Sequence, residues 1–547
     1  MLLVTIDTLR ADRLGAYGDA RARTPQLDAL ARAGVLFERA YTPVPLTLPA
    51  HASILTGLLP PQHGVRGNGS FALGPQPRTL AEVLRRRGLA TAAFVGAFPL
   101  ARRFGLDRGF DVYDDAFERA PGLHFEFPER RAERVVEAAL AWLGRTAGPA
   151  FLWVHLYDPH APYDPPEAYR GDDPYRGEIA YADAMLGRLL AAWDARPAPA
   201  VVALASDHGE AFGEHGELSH GLFVYDTTLR VPLLLRGAGV PSARRVPQAI
   251  GLVDLAATLA DLAGAEALPG ASLMRLLEPG GPAAVASLYA ETLAPRLDFG
   301  WSELRSWRQG GLKYVKAPRP ELYDVDADPG ESADLAVTQR DAAARLAAAL
   351  ERAQQRLGET ESRREPDSEA VERLRALGYA QGLEGRGSGA DPKDKVEVAR
   401  LIAGATGPFA GPREVIGVYS GIAARDPDNP LVNFRLADAL LRAGRAREAI
   451  PVFRKVTATQ PRSADPYVGL ATAAAELGRM DEAKQALEQA LGVDPGNGQA
   501  HYNLGEIART RGDLSEARVQ YEAARADPST RERAEQRLAS LPQVKAP

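Results

Sequence analysis

Short apolar runs alternate with longer segments of helical periodicity through the first part of the chain. Met1–Ile6, Phe151–His155 and Val201–Ala205 are largely apolar or β-branched, which is typical of strands buried on both faces of a parallel sheet. Between them, apolar residues recur at the spacing of a helix face. This alternation predicts an α/β fold with a doubly wound, mostly parallel sheet, which binds ligands beyond the carboxyl ends of its strands.

Three segments carry clear helix signals. Thr24 stands before Pro25, and Gly34 follows the last apolar position of the pattern, so that cap, first-turn proline and terminal glycine occur in order. Thr79–Arg87 and Arg131–Leu143 show a similar pattern. All three are predicted to be helices that connect strands of the sheet.

Thr47 opens a further predicted helix, in the stretch Thr47–Gly57. Pro49 stands two positions in, and proline is tolerated in a first helical turn because the amide that it removes has no partner there. We therefore expect Thr47 at or next to the N-cap, where its oxygen faces free N–H groups and the positive end of the helix dipole. That setting favours a developing alkoxide or a bound oxyanion, although capping is the commoner reason for such a threonine.

Polar side chains follow the predicted strands at their carboxyl ends. Asp7 follows the first strand, His155, Asp158 and His160 belong to the end of the second, and Ser206–Glu210 follows the third. The carboxyl ends of parallel strands meet at one edge of a sheet, so these residues are expected to converge. Of the nine histidines, five lie between positions 155 and 220, which chance clustering explains poorly.

Ordered motifs between Val4 and Pro329 resemble the sulfatase branch of the alkaline phosphatase superfamily. The matching segments are Val4–Gly18, Thr47–Gly57, Asp158–Tyr163, Ser206–Glu210, His215–Gly216, His220–Gly221, Arg230–Pro232 and Glu321–Pro329. Members of this family hydrolyse sulfate or phosphate esters, or transfer phosphoryl-containing groups, with a metal-bound nucleophile that opens a helix. The resemblance implies an alkaline-phosphatase-like α/β fold with a small C-terminal α+β subdomain.

The chain departs from the sulfatases at the nucleophile. Sulfatases carry cysteine or serine in a C/S-x-P-x-R motif and oxidise it to formylglycine, whereas this chain has Thr47 there and His51 in place of the arginine. Threonine oxidised at that carbon would give a ketone, so formylglycine is not expected. Unmodified threonine is the nucleophile in related nucleotide phosphodiesterases, phosphoethanolamine transferases and lipoteichoic acid synthases. We therefore predict cleavage or transfer of a phosphate ester, a phosphodiester by preference, with sulfuric ester hydrolysis as the alternative.

The metal ligands that the resemblance implies are Asp7, Thr47, Asp207 and His208. Calcium sulfatases usually have two adjacent aspartates after the first strand, but Thr8 stands in place of the second one here. Two carboxylates, an alkoxide and an imidazole suit zinc or manganese better than calcium, which takes about six to eight oxygen ligands. One divalent ion is expected.

Three histidines are predicted to contact the substrate. By comparison with the phosphoethanolamine transferases, His160 and His220 are assigned to oxyanion binding or to protonation of the leaving group, with ligation of a second zinc as the minority alternative. For His51, beside the helix of the nucleophile, an oxyanion contact and a structural packing role are equally favoured.

A 34-residue period follows a Gly-, Ser- and charge-rich stretch between Gly382 and Asp394, which is predicted to be a linker. The residues that recur are Pro427, Pro461 and Pro495, Gly444, Gly478 and Gly512, and Ala449, Ala483 and Ala517. This period is the signature of tetratricopeptide repeats, which form an all-α solenoid. The repeats are predicted to bind a protein partner, with packing or dimerisation as the alternative.

These features divide the chain into three parts. We predict a catalytic domain over 1–335, a helical segment and flexible linker over 336–395, and a repeat domain over 396–547. Within the repeat domain, a degenerate repeat over 396–429 precedes full repeats over 430–463, 464–497 and 498–531.

Composition narrows the function classes. A formal net charge of −6 gives no reason to expect nucleic-acid binding, and the absence of cysteine excludes disulfides, thiolate catalysis and cysteine zinc clusters. No apolar run approaches the roughly 20 residues that a membrane span needs. Because Met1–Ile6 already reads as a strand, we expect the natural start to lie upstream, which leaves the compartment open.

A scaffold protein with a vestigial catalytic domain is the competing class of function. The four retained ligands favour the enzyme.

Overall fold

The structure is a computed structural model that describes residues 1–117, 130–197, 200–278, 287–360, 362, 388–405, 412–527 and 529–542. It divides into two compact units, Met1–Leu293 with Glu303–Arg364 and Ala294–Ser302 with Glu365–Pro547. The predicted linker lies outside the described residues up to position 387.

The strands and helices follow one another along the chain. As far as residue 293 they are β1 (Leu2–Ile6), α1 (Pro25–Arg32), β2 (Val35–Tyr41), α2 (Thr47–Thr56), α3 (Pro60–His63), α4 (Leu80–Arg86), β3 (Ala90–Val95), β4 (Val112–Asp114), α5 (Ala132–Leu143), β5 (Ala150–Leu156), α6 (Pro174–Asp194), β6 (Val201–Ala205), α7 (Asp226–Leu229), β7 (Arg230–Gly237), β8 (Arg244–Gly251), α8 (Asp254–Leu262) and β9 (Leu288–Thr292). They continue with α9 (Ala294–Phe299), β10 (Leu304–Gln309), β11 (Leu312–Lys316), β12 (Glu321–Asp324), α10 (Arg340–Leu357), α11 (Val396–Gly404), α12 (Pro412–Arg425), α13 (Pro430–Arg442), α14 (Ala446–Thr459), α15 (Ala464–Glu476), α16 (Met480–Val493), α17 (Gly498–Thr510), α18 (Leu514–Ala524) and α19 (Arg531–Ser540).

Eight strands of the first unit form one sheet in the order β4-β3-β5-β1-β6-β7-β2-β8. β1 lies between β5 and β6 and runs parallel to both. The pairs β3–β4, β3–β5 and β2–β8 are also parallel, whereas β7 runs antiparallel to β6 and β2. The predicted mostly parallel sheet is therefore confirmed.

Successive residues of β1 point to opposite faces of this sheet, as in any strand. Leu2, Val4 and Ile6 join an apolar cluster with residues of α1, α5 and α6. The intervening residue Thr5 and the following Asp7 lie on the other face, which helix α2 covers, and both are fully buried. The sheet thus places polar side chains beneath the helix that begins at Thr47.

The predicted helices are confirmed, and their first residues follow the local signals. α1 begins at Pro25 directly after Thr24, and α5 begins at Ala132. The Thr79 hydroxyl accepts a hydrogen bond from the backbone N–H of Glu82 at 3.2 Å, which caps α4.

Helix α2 begins at Thr47, directly after the N-cap residue Leu46, and Gly57 follows its last residue with φ of +72°. A Cβ added at Gly57 would lie 2.1 Å from the carbonyl oxygen of Pro269, so only glycine fits there.

A second, antiparallel sheet has the order β12-β11-β10-β9. Leu322 of this sheet packs in one apolar cluster with Leu346 and Leu350 of α10. This arrangement is the small α+β part that the family resemblance implies.

The second unit is helical throughout its described residues beyond position 391. Ala437, Ala471 and Gly505 stand 34 positions apart on the first helix of successive pairs and are buried. A Cβ added at Gly505 would lie 2.6 Å from the ring of Tyr521, so the small residue allows the helices to approach closely. None of the helices in the described ranges is long and apolar enough to cross a membrane.

Candidate active site

Asp7, Asp207 and His208 meet at the carboxyl ends of β1 and β6. Their ligand atoms lie within 4.8 Å of one another, and all three residues are fully buried. His208 Nε2 is 3.8 Å from Asp7 Oδ1 and 3.5 Å from Asp207 Oδ2. The neighbouring positions of β1 and β6 in the sheet bring these residues together across 200 positions of sequence.

Thr47 completes this group as the first residue of α2. Its Oγ1 lies 3.4 Å from His208 Nε2. The next backbone N–H, that of Leu48, donates to Asn68 Oδ1 at 2.9 Å, which holds the start of the helix in place. The structure therefore brings together all four residues that the sequence proposes as metal ligands.

The donor atoms of this group fit a divalent cation. His208 Nδ1 lies 3.0 Å from the carbonyl oxygen of Gly209, and since a carbonyl can only accept, Nδ1 donates and Nε2 presents a lone pair. Both oxygens of Asp7 and Oδ2 of Asp207 are buried and accept no hydrogen bond of ordinary geometry from the described residues. Buried polar atoms normally have partners, so these converging lone pairs mark a position for a cation.

The crowded carboxylates change the pKa values in the group. Burial raises the pKa of Asp7 to about 7, and Glu210 raises it while His208 opposes the change. Burial and the charge of Asp7 likewise raise the pKa of Asp207. Burial lowers the pKa of His208, but the Asp207 and Asp7 carboxylates outweigh burial and raise it overall. A bound cation would favour the charged carboxylates and remove their mutual repulsion.

His160 and His220 lie together beside this group, with ring centroids 5.2 Å apart, and the ring of His220 is 4.3 Å from that of His208. His160 Nδ1 donates to the carbonyl oxygen of Ala161 at 2.6 Å, and its Nε2 has no hydrogen bond within the described part of the chain. Burial lowers the pKa of His160 to about 3 and that of His220 well below its usual value. Burial thus favours the neutral form of both rings.

The contacts of His51 favour the structural one of its two predicted roles. Its Nδ1 lies 2.8 Å from the carbonyl oxygen of Thr47, one turn earlier in α2, and its Nε2 lies 3.0 Å from Thr5 Oγ1. Both ring nitrogens are thus occupied by protein atoms. Burial lowers the pKa of His51 to about 3, so the ring is neutral.

Several residues that the sequence does not assign as ligands or substrate residues also contact this group. His155 Nε2 lies 3.3 Å from Asp7 Oδ2, and Glu210 Oε1 lies 3.0 Å from His220 Nδ1. The hydroxyl of Tyr163 donates to Glu210 Oε2 at 3.0 Å. The sequence signal for His155 and Glu210 is their position at strand ends. This position does not distinguish a metal ligand from a residue that contacts a ligand or a substrate residue.

Asp158, which the sequence groups with these strand-end residues, does not join them. Its carboxylate accepts a hydrogen bond from the backbone N–H of Ala132 at 2.9 Å. It therefore holds the first turn of α5, because a carboxylate there satisfies a free N–H group and the positive end of the helix dipole.

A mostly parallel sheet with two aspartates, a histidine and a helix-opening hydroxyl at its carboxyl edge defines the class of alkaline-phosphatase-like hydrolases. Residues 1–265 match the model of the sulfatase family, and residues 412–474, 440–491 and 468–529 match tetratricopeptide repeat models. The chain thus combines a domain that matches the sulfatase family model, residues 1–265, with C-terminal tetratricopeptide repeats.

Two curated relatives align over most of their own length. The chain is 26% identical to the uncharacterized sulfatase YidJ of Escherichia coli over 413 residues, which cover 61% of this chain and 82% of that protein. It is 25% identical to the Delta 4,5-hexuronate-2-O-sulfatase of Bacteroides thetaiotaomicron over 411 residues, 61% of this chain and 84% of that protein.

Among solved structures, the phosphonate monoester hydrolase of Agrobacterium radiobacter superposes with a TM-score of 0.53 at 24% identity. The superposition covers 65% of this chain and 95% of that one. At this identity the likeness establishes the fold.

Proposed function

We propose that the first unit cleaves or transfers a phosphate ester, a phosphodiester by preference, with Thr47 as the nucleophile. The observation that carries this proposal is the position of Thr47 Oγ1, 3.4 Å from His208 Nε2 at the start of α2. Asp7, Asp207 and His208 would hold one divalent ion together with Thr47. An imidazole and only two carboxylates favour zinc or manganese over calcium.

A divalent metal held there would lower the pKa of the Thr47 hydroxyl. Thr47 Oγ1 then loses its proton and bonds to phosphorus, while the bond from phosphorus to the alcohol oxygen breaks and the alcohol leaves with a proton. Water, or an acceptor alcohol, attacks phosphorus next, and Thr47 Oγ1 leaves and regains a proton. The positive end of the α2 helix dipole stabilises the charge on the phosphoryl oxygens.

His220 is proposed to carry the proton in these steps. Its Nδ1 donates to Glu210 Oε1, so its Nε2 is free to accept a proton and return it to the leaving alcohol. The carboxylate of Glu210 stabilises the charged ring that forms meanwhile. His160 presents an unbonded Nε2 beside it and is assigned to the substrate, whereas His51 holds α2 against the sheet.

One ion is favoured over two by the arrangement of possible ligands. In the described residues, a group of three or more His or acidic side chains that could hold a metal is formed by Asp7, Asp207 and His208. Within the part of the chain that the structure describes, neither His160 nor His220 belongs to such a group. They are therefore kept as substrate residues.

Hydrolysis of a sulfuric ester is the second candidate, because the curated relatives bear sulfatase names. The threonine at position 47 argues against this reaction. Attack by a threonine alkoxide on sulfur would leave a sulfo-threonine, which lacks the hemiacetal route that releases sulfate from formylglycine.

The deciding experiment compares matched aryl esters on the full chain. We expect kcat/KM for the aryl phosphodiester or phosphomonoester to exceed that for the aryl sulfate by at least about a hundredfold, about 2.7 kcal/mol in transition-state stabilisation. Thr47→Ala should abolish turnover, and Thr47→Ser should keep part of it. Faster cleavage of the aryl sulfate, or turnover by Thr47→Ala, would contradict the assignment of Thr47 and favour sulfuric ester hydrolysis instead.

Thr56 provides the matched control for this nucleophile. It is the last residue of the same helix, is fully buried, and donates to the carbonyl oxygen of Ala52 at 2.6 Å. Thr56→Ala should therefore lower thermal stability without abolishing turnover. Equal losses in Thr47→Ala and Thr56→Ala would point to damage to the helix instead of to chemistry.

The repeats are proposed to bind a protein partner, since this repeat type generally presents an interaction surface. The alternative of a scaffold with a vestigial catalytic domain predicts no turnover of any ester in the same assay. The four converging ligands support the enzyme, because a decayed site has no reason to keep them.

A further inference from the structure

The hydroxyl of Thr5 lies at the centre of a buried polar cluster beneath the proposed metal site. Trp153 Nε1, His51 Nε2 and His155 Nδ1 each lie 3.0 Å from Thr5 Oγ1. All four residues are fully buried. Strand register explains the cluster: Thr5 and His155 are paired in the neighbouring strands β1 and β5, and Trp153 lies two positions before His155 on the same face.

The three contacts use the full hydrogen-bonding capacity of the hydroxyl. A threonine hydroxyl has one proton to donate and two lone pairs to accept with, and the indole N–H can only donate. His51 donates from Nδ1 to the carbonyl oxygen of Thr47, so its Nε2 is the nitrogen that meets Thr5. One histidine therefore accepts from Thr5 and the other donates to it, and each of the three positions is filled.

The two histidines extend from Thr5 to different metal-binding carboxylates. His155 Nε2 lies 3.3 Å from Asp7 Oδ2, and His51 Nδ1 lies 3.6 Å from Asp207 Oδ2. His51 also contacts the backbone of the nucleophile. A single hydroxyl thus holds two rings: His51 hydrogen-bonds to the Thr47 carbonyl oxygen, and His155 and His51 pack against Asp7 and Asp207 without hydrogen bonds to these carboxylates.

We infer that Thr5 is a positioning residue that, through His51 and His155, sets the placement of Asp7, Asp207 and Thr47 around the metal. This inference rests on the proposed function. Groups that orient metal ligands from outside typically change metal affinity or activity by about 10- to 100-fold when they are removed. Buried polar groups that lose a partner cannot turn to water instead, so the histidine rings would shift.

Thr5→Val tests the inference, because it removes the hydroxyl at nearly constant volume and leaves Trp153, His51 and His155 without their shared partner. The measurement is the dissociation constant of zinc, with no substrate present, by competition with a chromophoric chelator on the full chain. We expect at least about tenfold weaker binding for Thr5→Val. Thr5→Ser, which keeps the hydroxyl, should restore affinity to within about threefold.

Thr91→Val is the matched control. Thr91 is a fully buried threonine of β3 whose hydroxyl also has several partners, donating to the carbonyl oxygen of Gly109 at 2.7 Å and accepting from the backbone N–H of Asp111 at 2.9 Å. It lies outside the Thr5 cluster. We expect Thr91→Val to lower the thermal midpoint while zinc affinity stays unchanged.

Four outcomes are distinguishable. Zinc affinity that falls in Thr5→Val, but neither in Thr5→Ser nor in Thr91→Val, supports the inference. Equal zinc affinity in Thr5→Val and wild type overturns it, and so does an equal loss in Thr91→Val. If Thr5→Val does not fold, His155→Phe removes one arm of the cluster and carries the same expectation. Wild-type protein that binds no zinc or manganese would instead overturn the proposed function.

Discussion

In the first unit, the proposed ligands Asp7, Thr47 and Asp207 come from distant parts of the chain and are completely buried. Buried contacts in the repeats, in contrast, join residues one helix apart. Gly505, for example, meets Tyr521 of the next helix. The first unit encloses charges and polar atoms that only a few partners can satisfy. The repeats bury mostly alanine, leucine and aromatic rings.

This difference separates two ways in which a substitution does harm. A buried polar group without its partner costs about 1–3 kcal/mol and also moves its neighbours, so damage in the first unit reaches the chemistry. A substitution in the repeats acts mainly by changing the volume of a side chain, and its effect is confined to the neighbouring repeats. The following predictions test that separation, beginning with the largest effect.

Removing a ligand should empty the metal site without unfolding the first unit. His208→Ala and Asp207→Asn are expected to lose the tightly held transition metal that wild type retains, because the first removes a donor atom from a compact group and the second removes a negative charge. Elemental analysis after chelator-free purification, together with thermal unfolding, measures both effects. His215→Ala is the control, since His215 stacks on Tyr225 outside the group and should keep full metal content. Calcium in the wild-type protein would contradict the ligand argument.

Overfilling a contact between the repeats should destabilise the array and leave catalysis intact. A Cβ added at Gly469 would lie 2.4 Å from the ring of Phe453, which is itself buried, so Gly469→Val is expected to cost about 1–3 kcal/mol. Gly492→Ala is the control, because a Cβ there meets nothing within 4 Å. Denaturant unfolding measures the loss, and a parallel fall in kcat/KM would show that the two units do not behave separately.

The first unit should also depend on pH in a way that Glu217 explains. Burial raises the pKa of Glu217 from 4.5 to about 8 in the folded chain, so the folded state holds a proton that the unfolded state releases above pH 4.5. Stability therefore falls as pH rises through this window and is lowest above pH 8.

Glu217→Gln should accordingly raise the thermal midpoint at pH 8.5 and have little effect near pH 4.5. The amide keeps the oxygen that accepts the backbone N–H of Leu222 at 2.7 Å. The test is thermal unfolding of both proteins across this range. An increase of equal size at every pH would rule out titration of Glu217 as the cause.

Deleting residues from 396 onward should have the smallest effect on turnover, within about twofold for a small chromogenic ester, because the proposed site residues all lie before position 221. Trp301 belongs to the second unit, where its Nε1 donates to Asp426 Oδ2 at 2.9 Å, so the deletion exposes this ring. Circular dichroism must therefore show that the shortened chain is folded. Loss of most activity in a folded protein would mean that the repeats contribute to the site.

The repeats could largely be predicted from the sequence, because residues that recur every 34 positions mark the contacts between neighbouring helices. The parallel sheet and the convergence of Asp7, Thr47, Asp207 and His208 could also be predicted, since strand ends collect polar residues and ordered motifs mark them. The roles of Thr5 and His155 could not. They depend on the register of β1 against β5, and a buried threonine inside an apolar run reads like any other strand residue.

For Asp158, the position at a strand end wrongly predicts that the side chain joins the site. Its position after β5 is as favourable for a ligand as that of His160, but the local backbone turns its carboxylate to the first N–H of α5. Sequence position defines which residues reach the edge of the sheet. The direction of each side chain there depends on loops whose conformation the sequence pattern does not specify.

The central place of β1 also has a consequence during protein synthesis. Thr5 pairs with His155, 150 residues later, so both edges of this strand stay open long after it leaves the ribosome. At about 5–20 residues per second the wait for β5 is on the order of 10 to 30 seconds, and β6 comes later still. An apolar strand with open edges is a template for wrong pairing. Nascent chains that end before about residue 210 should therefore be the ones that need a chaperone, and none of them yet contains both Asp207 and His208 in a folded site.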